Sequence, residues 1–164
     1  MKSNELYMGV DPGVGGGIAL IDSDLQIVKL RNMPETLTDM IEFFFSIAVD
    51  YEVKACIMEK VWAMPMDAIK ASFALGKNIG RLEACLTAIH VPWEEITPQS
   101  WMKYFSLYKG AAKGKTQWKN ELRDLATRMF GVTKKEVNLQ VADALLIARY
   151  CYDKTNNRER GKVL

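Results

Sequence analysis

Two short apolar runs, Tyr7-Met8-Gly9-Val10 and Ile18-Ala19-Leu20-Ile21, flank Asp11-Pro12-Gly13-Val14-Gly15-Gly16-Gly17, a segment so dense in turn residues that the chain is expected to reverse there. The sequence therefore opens as a β-hairpin. A third strand over Gln26–Arg31, after Asp22-Ser23-Asp24, extends the hairpin to a three-strand meander. Thr36-Leu37-Thr38-Asp39 has the form of a capping box, and Met40, Phe43, Phe44 and Ile47 then recur at helical spacing. Lys54–Glu59 is a short apolar run closed by an acid, as a buried central strand would be. The order βββαβ makes this an α/β chain.

Residues 66–89 form the longest helical segment, with small residues at every fourth position: Ala68, Ser72, Gly76, Gly80, Ala84 and Ala88. Each glycine inside a helix costs about 1 kcal/mol relative to Ala, so close packing is expected to offset it, against the chain's own sheet or against a partner helix. Val91–Ile96 reads as a fifth strand. Thr97-Pro98 supplies an N-cap and a proline at the first helical position, which predicts a short helix over Pro98–Phe105. Lys109–Lys115 reads as a basic loop. Thr116–Phe130 is amphipathic, with Trp118, Leu122, Leu125, Ala126 and Met129 inward and Lys115, Lys119 and Arg123 outward. A last helix is expected from about Asn138 to Tyr152, closing a single domain over residues 1–152, with residues 153–164 as a frayed basic tail.

Charge is unevenly distributed. The 164 residues carry a formal net charge of +2, yet residues 1–102 hold 8 basic and 14 acidic side chains while residues 103–164 hold 14 basic and 6 acidic. A basic half suits a polyanionic partner such as nucleic acid. The three cysteines, Cys56, Cys85 and Cys151, are widely spaced in apolar segments, as buried reduced thiols would be. One histidine, His90, excludes paired-histidine zinc chemistry, so a metal would be held mainly by carboxylates, which favours Mg²⁺ or Mn²⁺. No run approaches the roughly 18 apolar residues of a membrane span, and the opening residues do not resemble a signal peptide; a cytoplasmic location is expected.

Three acids are candidates for chemistry. Asp11 ends the first strand at the glycine-rich turn, where small residues leave room for a phosphate or metal, although Asp-Pro-Gly is also ordinary turn chemistry. Glu59 closes an apolar strand, where an acid is costly unless solvated, paired or metal-bound. Asp143 lies in Val141-Ala142-Asp143-Ala144-Leu145-Leu146-Ile147-Ala148, where it needs a partner or answers the dipole of a helix N-terminus.

Taken in order, these segments resemble the RuvC-type Holliday junction resolvases of the ribonuclease H-like superfamily, especially their phage-encoded branch. Gly9-Val10-Asp11-Pro12-Gly13, Glu59-Lys60-Val61-Trp62 and Ala142-Asp143-Ala144-Leu145-Leu146-Ile147-Ala148 carry the likeness, which spans residues 6–152. It implies a ribonuclease H-like fold with a mixed five-stranded sheet, three strands antiparallel and the others parallel, flanked by helices. It also implies a homodimer acting on four-way DNA junctions, in the host cytoplasm if phage-encoded. Two Mg²⁺ ions, replaceable by Mn²⁺, would be held by Asp11, Glu59 and Asp143, with Lys115 stabilising phosphate charge. Trp62 falls where the family carries an aromatic that stacks at the junction. Lys103, Lys109, Lys113 and Lys119 would track DNA, and Gly76, Gly80 and Ala84 would lie on a dimer helix. Where the family has a fourth acidic or histidine ligand, one helical turn before the last, this chain has Gln140. An amide oxygen can coordinate Mg²⁺ but brings no charge and cannot act as a base. Gln140 is then a natural variant, an inactivating change, or a sign that another acid such as Glu136 substitutes.

Two rivals follow: another ribonuclease H-like nuclease, cutting flaps, other branched DNA or RNA–DNA hybrids, and a catalytically silent junction-binding protein. A sugar-kinase or actin-like ATPase shares the glycine-rich first hairpin but needs two such domains.

Overall fold

The computed structural model describes residues 5–63, 68–107 and 114–161, with side chains to Asn157. Strands β1 (Glu5–Asp11), β2 (Gly17–Asp22) and β3 (Ile27–Asn32) form the expected antiparallel meander. Helix α1 (Leu37–Asp50) starts where Thr36 Oγ1 accepts the backbone N–H of Asp39 at 3.1 Å, and it buries Met40, Phe43, Phe44 and Ile47. Strand β4 (Glu52–Glu59) pairs parallel with β1, and β5 (Trp93–Ile96) pairs parallel with β4. The sheet order is β3-β2-β1-β4-β5, the mixed five-stranded sheet of a ribonuclease H-like fold.

Strand periodicity divides the core. Leu6, Met8 and Val10 of β1 and Cys56 and Met58 of β4 face a layer that includes Met40, Phe44 and Ile47 of α1 and Leu82 and Leu86 of α2 (Ile69–Ala88). Tyr7 of β1 and Ile57 of β4 face the other layer, where α4 (Lys115–Phe130) and α5 (Ala142–Gly161) contribute Trp118, Leu122, Ala126, Leu145 and Ala148. The short helix α3 (Pro98–Tyr104) adds the fully buried Trp101 to that second layer.

Gly9 sits where α5 crosses β1. A Cβ there would collide with the carbonyl oxygen of Ala144 and the backbone nitrogen of Ala148, so helix and strand meet backbone to backbone.

Three expectations are corrected by the packing, and one open alternative is narrowed. The last helix begins at Ala142 rather than Asn138, because the Asn138 side chain accepts the backbone N–H of Gln140 and of Val141 and holds residues 138–141 as a turn. It then runs on to Gly161, through the segment expected to fray. Asp153 accepts bonds from Arg149 and from the Tyr104 hydroxyl, and Lys154 pairs with Glu94 of β5 at 2.9 Å, so charge pairing holds a stretch that has little apolar surface to bury. The small-residue stripe does not pack on the chain's own sheet: Gly76, Gly80, Ala84 and Ala88 face outward, and Cβ atoms at either glycine would meet nothing within 4 Å. Lys119, expected outward, is only 27% exposed and turns toward the sheet edge. The three cysteines are buried and free, as read from the sequence.

Candidate active site

The carboxylates converge because strand alternation and parallel pairing leave them nowhere else to go. Asp11 and Glu59 are the last residues of β1 and β4, and the register Val10↔Met58 puts them side by side at one end of two parallel strands. A period of two places Asp11 on the face of Tyr7 and Gly9, and Glu59 on the face of Ile57, which is the face α5 covers. The close approach at Gly9 brings the first turn of α5, and with it Asp143, to that same end. Asp11 and Asp143 are 8% and 6% exposed, and Glu59 is partly buried.

Each acid is held differently. Gly13 donates its N–H to Asp11 Oδ1 at 3.1 Å, and Gly16 leaves the space that carboxylate occupies, since a Cβ there would lie 2.6 Å from Asp11 Cγ. Asn78, buried on α2, donates to the Pro12 carbonyl at 2.8 Å and so ties down the turn that follows Asp11. Glu59 Oε1 accepts the indole N–H of Trp101 at 2.9 Å. Asp143 Oδ2 takes the Lys119 ammonium at 2.5 Å, while its Oδ1 is buried with no hydrogen-bond partner among the described residues.

Burial dominates the electrostatics. It raises Asp11, against the opposing charge of Lys119 and the bond from Gly13. Burial, then the neighbouring Asp11 charge, pushes Glu59 up to about 7 despite the bond from Trp101. Burial lifts Asp143 to about 6, with Lys119 pulling the other way and Asp11 adding to the rise. For Lys119 burial disfavours the ammonium, but Asp143, then Asp11 and Glu59, outweigh it and hold the charge on. Three acids that resist sharing one desolvated corner are kept there by one resident cation.

The chemistry of this donor set fits a divalent cation: hard, buried oxygens from three elements, one of them orphaned. In their present rotamers, however, no three His, Cys, Asp or Glu side chains among the described residues are grouped to hold one ion.

The other candidates lie outside this corner. Gln140 is exposed in the turn before α5, and Glu136 is exposed and taken up by the N–H and hydroxyl of Thr133. Lys115 is exposed at the first position of α4, and it is Lys119, one turn on, that reaches the acids. Lys103 is exposed on α3. Trp62 is 52% exposed three residues beyond Glu59, so its ring is not part of the core. Lys109 and Lys113 lie outside the described residues. Sequence reasoning missed the inward turn of Lys119 and the Trp101–Glu59 bond. A signal for the second was present: Trp101 lies in the helix that follows β5, the neighbour of the strand that Glu59 ends.

No protein-family model and no curated protein sequence matches the chain. The fold itself is that of RuvC and the ribonuclease H-like proteins. Thermus thermophilus RuvC in complex with a Holliday junction substrate superposes with a TM-score of 0.65 at 15% identity, over 88% of this chain and 90% of that one. A second structure of Thermus thermophilus RuvC gives 0.64 at 15% identity, over 92% and 96%. No helix among the described residues is long and apolar enough to cross a membrane.

Proposed function

We propose that this protein is a metal-dependent endonuclease of the Holliday junction resolvase type, hydrolysing phosphodiesters in four-way or otherwise branched DNA. One observation carries the reading: three carboxylates from separate elements meet at one end of parallel strands, Asp11 and Asp143 buried and Glu59 partly so, with Lys119 paired to Asp143 among them. The fold likeness to a RuvC that was solved on a Holliday junction points the same way. Asp11, Glu59 and Asp143 would hold Mg²⁺ or Mn²⁺, with Gln140 the weakest candidate because it is exposed. Two such ions, when bound, supply water activation and charge neutralisation at the scissile phosphate. The chain's own residues do the rest. Asp11, fixed by Gly13 and Gly16, holds its carboxylate in one place beside the turn, and Lys119, paired with Asp143, is the cation nearest the acids that could answer phosphate charge. Lys103 and Lys115 lie exposed for backbone contacts, and Trp62 is available to stack on an opened base, worth about 1–3 kcal/mol.

The dimer expected of such an enzyme has a natural face. Leu37, Ile41 and Phe45 of α1 and Gly80, Ala84 and Ala88 of α2 line an outward apolar groove of about 730 Å³. A two-fold pair using it would present two sites to a near-symmetric junction. A phage origin, in keeping with the sequence likeness, would place the enzyme in a host cytoplasm.

The deciding assay is Mg²⁺- or Mn²⁺-dependent cleavage of labelled four-way junction, flap and RNA–DNA hybrid in parallel. Junction cutting that is lost in Asp11→Asn and Asp143→Asn, with junction binding retained, is the expected result; cutting unchanged in both variants would sink the assignment. The neutral, exposed Gln140 at the fourth ligand position favours one second reading, a junction-binding protein without catalysis. Tight junction binding with no cutting in either metal would select it.

A further inference from the structure

Trp101 is fully buried in the layer that α4 and α5 share with the sheet, and its indole carries one group that a purely apolar ring would not. What the indole adds is one N–H, which is costly to bury unpartnered. Its partner is Glu59 Oε1 at 2.9 Å, a carboxylate that is itself expensive to bury. The backbone enforces the meeting. Glu59 pairs with Ile96 at the end of β5, Lys60 donates its N–H to the Ile96 carbonyl at 2.7 Å, and Thr97-Pro98 then starts α3, so Trp101 arrives beside Glu59 after a single turn. No other side-chain hydrogen bond reaches Glu59 among the described residues. One of its two oxygens is therefore fixed and the other is left for the cluster.

We infer that Trp101 is a positioning residue for the metal site: its indole N–H pins Glu59 Oε1 so that the second oxygen is presented to a divalent cation shared with Asp11 and Asp143. The inference rests on the proposed metal site. Partners that orient a ligand in this way are commonly worth about 10–100-fold in metal affinity when removed.

The test is Trp101→Phe in the full chain, which keeps an aromatic ring in the core and deletes the N–H. Mn²⁺ affinity is read by calorimetry and stability by thermal melting in EDTA. An affinity lowered about tenfold, read at a temperature where the metal-free variant is still folded, is expected beside the lower melting temperature that a smaller core side chain brings by itself. Affinity equal to wild type within about twofold overturns the inference, because a purely structural tryptophan would move the melting temperature and leave the metal alone. Wild-type protein that binds no Mn²⁺ removes the metal site itself, an outcome visible before the variant is made. Should Trp101→Phe fail to fold, ¹⁵N spectra of the wild type decide: of the indole resonances of the four tryptophans, one should move on Mg²⁺ addition and the same one should move in Glu59→Gln. If no indole resonance responds to both, the inference is wrong.

Discussion

A carboxyl raised by burial destabilises the fold whenever it is forced to ionise, and Glu59 offers a clean measurement of that effect. Its ordinary value of 4.5 rises to about 7, so the folded protein binds a proton that the unfolded chain has already released between those limits. The stability this represents is present below pH 4.5, falls as pH rises, and is gone above about 7. At about 1.36 kcal/mol per unit, the difference between the two ends is about 3 kcal/mol. Glu59→Gln removes the charge while its amide oxygen can still accept the Trp101 N–H. In EDTA the variant should therefore match wild type at about pH 4.5 and exceed it by about 2–3 kcal/mol at about pH 8, a rise in melting temperature of about 4–12 °C for a domain of this size. Urea denaturation at both pH values is the assay. Mg²⁺ should stabilise wild type at the higher pH more than it stabilises the variant, which keeps Asp11 and Asp143 but has lost one ligand charge. A Glu59→Gln protein that is less stable than wild type at the higher pH, or equally displaced at both, would refute the view that Glu59 is held ionised against the preference of its surroundings.

Three further outcomes follow from the same corner. Lys119→Met should cost about 2–3 kcal/mol in EDTA at about pH 7, less than the roughly 3–5 kcal/mol of a fully buried pair because the lysine is 27% exposed, and the loss should vanish on titration below about pH 4 as Asp143 becomes neutral in both states. Gly9→Ala should destabilise by about 3 kcal/mol or more and weaken Mn²⁺ binding together, since α5 must shift to admit the methyl; Gly15→Ala, which meets nothing within 4 Å, should stay within about 0.5 kcal/mol by denaturant melting. If the proposed dimer uses the outward face of α2, wild type should have the mass of two chains by light scattering and Ala84→Arg that of one, with the melting midpoint within a few degrees; an unchanged mass would exclude that face as the contact.

The sheet and its acids were legible because they rest on local rules. Turn residues at 11–17, a capping box at Thr36 and apolar runs of strand length place five strands along the chain, and an acid closing an apolar strand is conspicuous in any sequence; the parallel pairing and the meeting of the acids were expected from the family resemblance. What escaped depends on direction, which periodicity does not report. Lys115, Lys119 and Arg123 share a four-residue spacing, but Lys119 borders the buried stripe of Trp118 and Leu122, and its long stem lets the ammonium bend in toward Asp143. The stripe along α2 reads identically whether it faces a sheet or water, and the structure turns it outward while Asn78, Leu82, Cys85 and Leu86 face in. The continuation of α5 past Tyr152 depends on pairings with Tyr104 and Glu94 from distant parts of the chain, which no local pattern encodes.

The meeting of α5 with β1 has a consequence for how this chain can change. A contact made by main-chain atoms depends on few side chains: Gly9, where hydrogen alone fits, and the buried Ala144 and Ala148 opposite it. Leu145, Ile147 and the other core residues of α5 can exchange volume with their neighbours, as cores tolerate when total volume is kept, without lengthening the span from Asp11 to Asp143. Sequence elsewhere in the two elements can thus drift while the end of β1 and the first turn of α5 stay together.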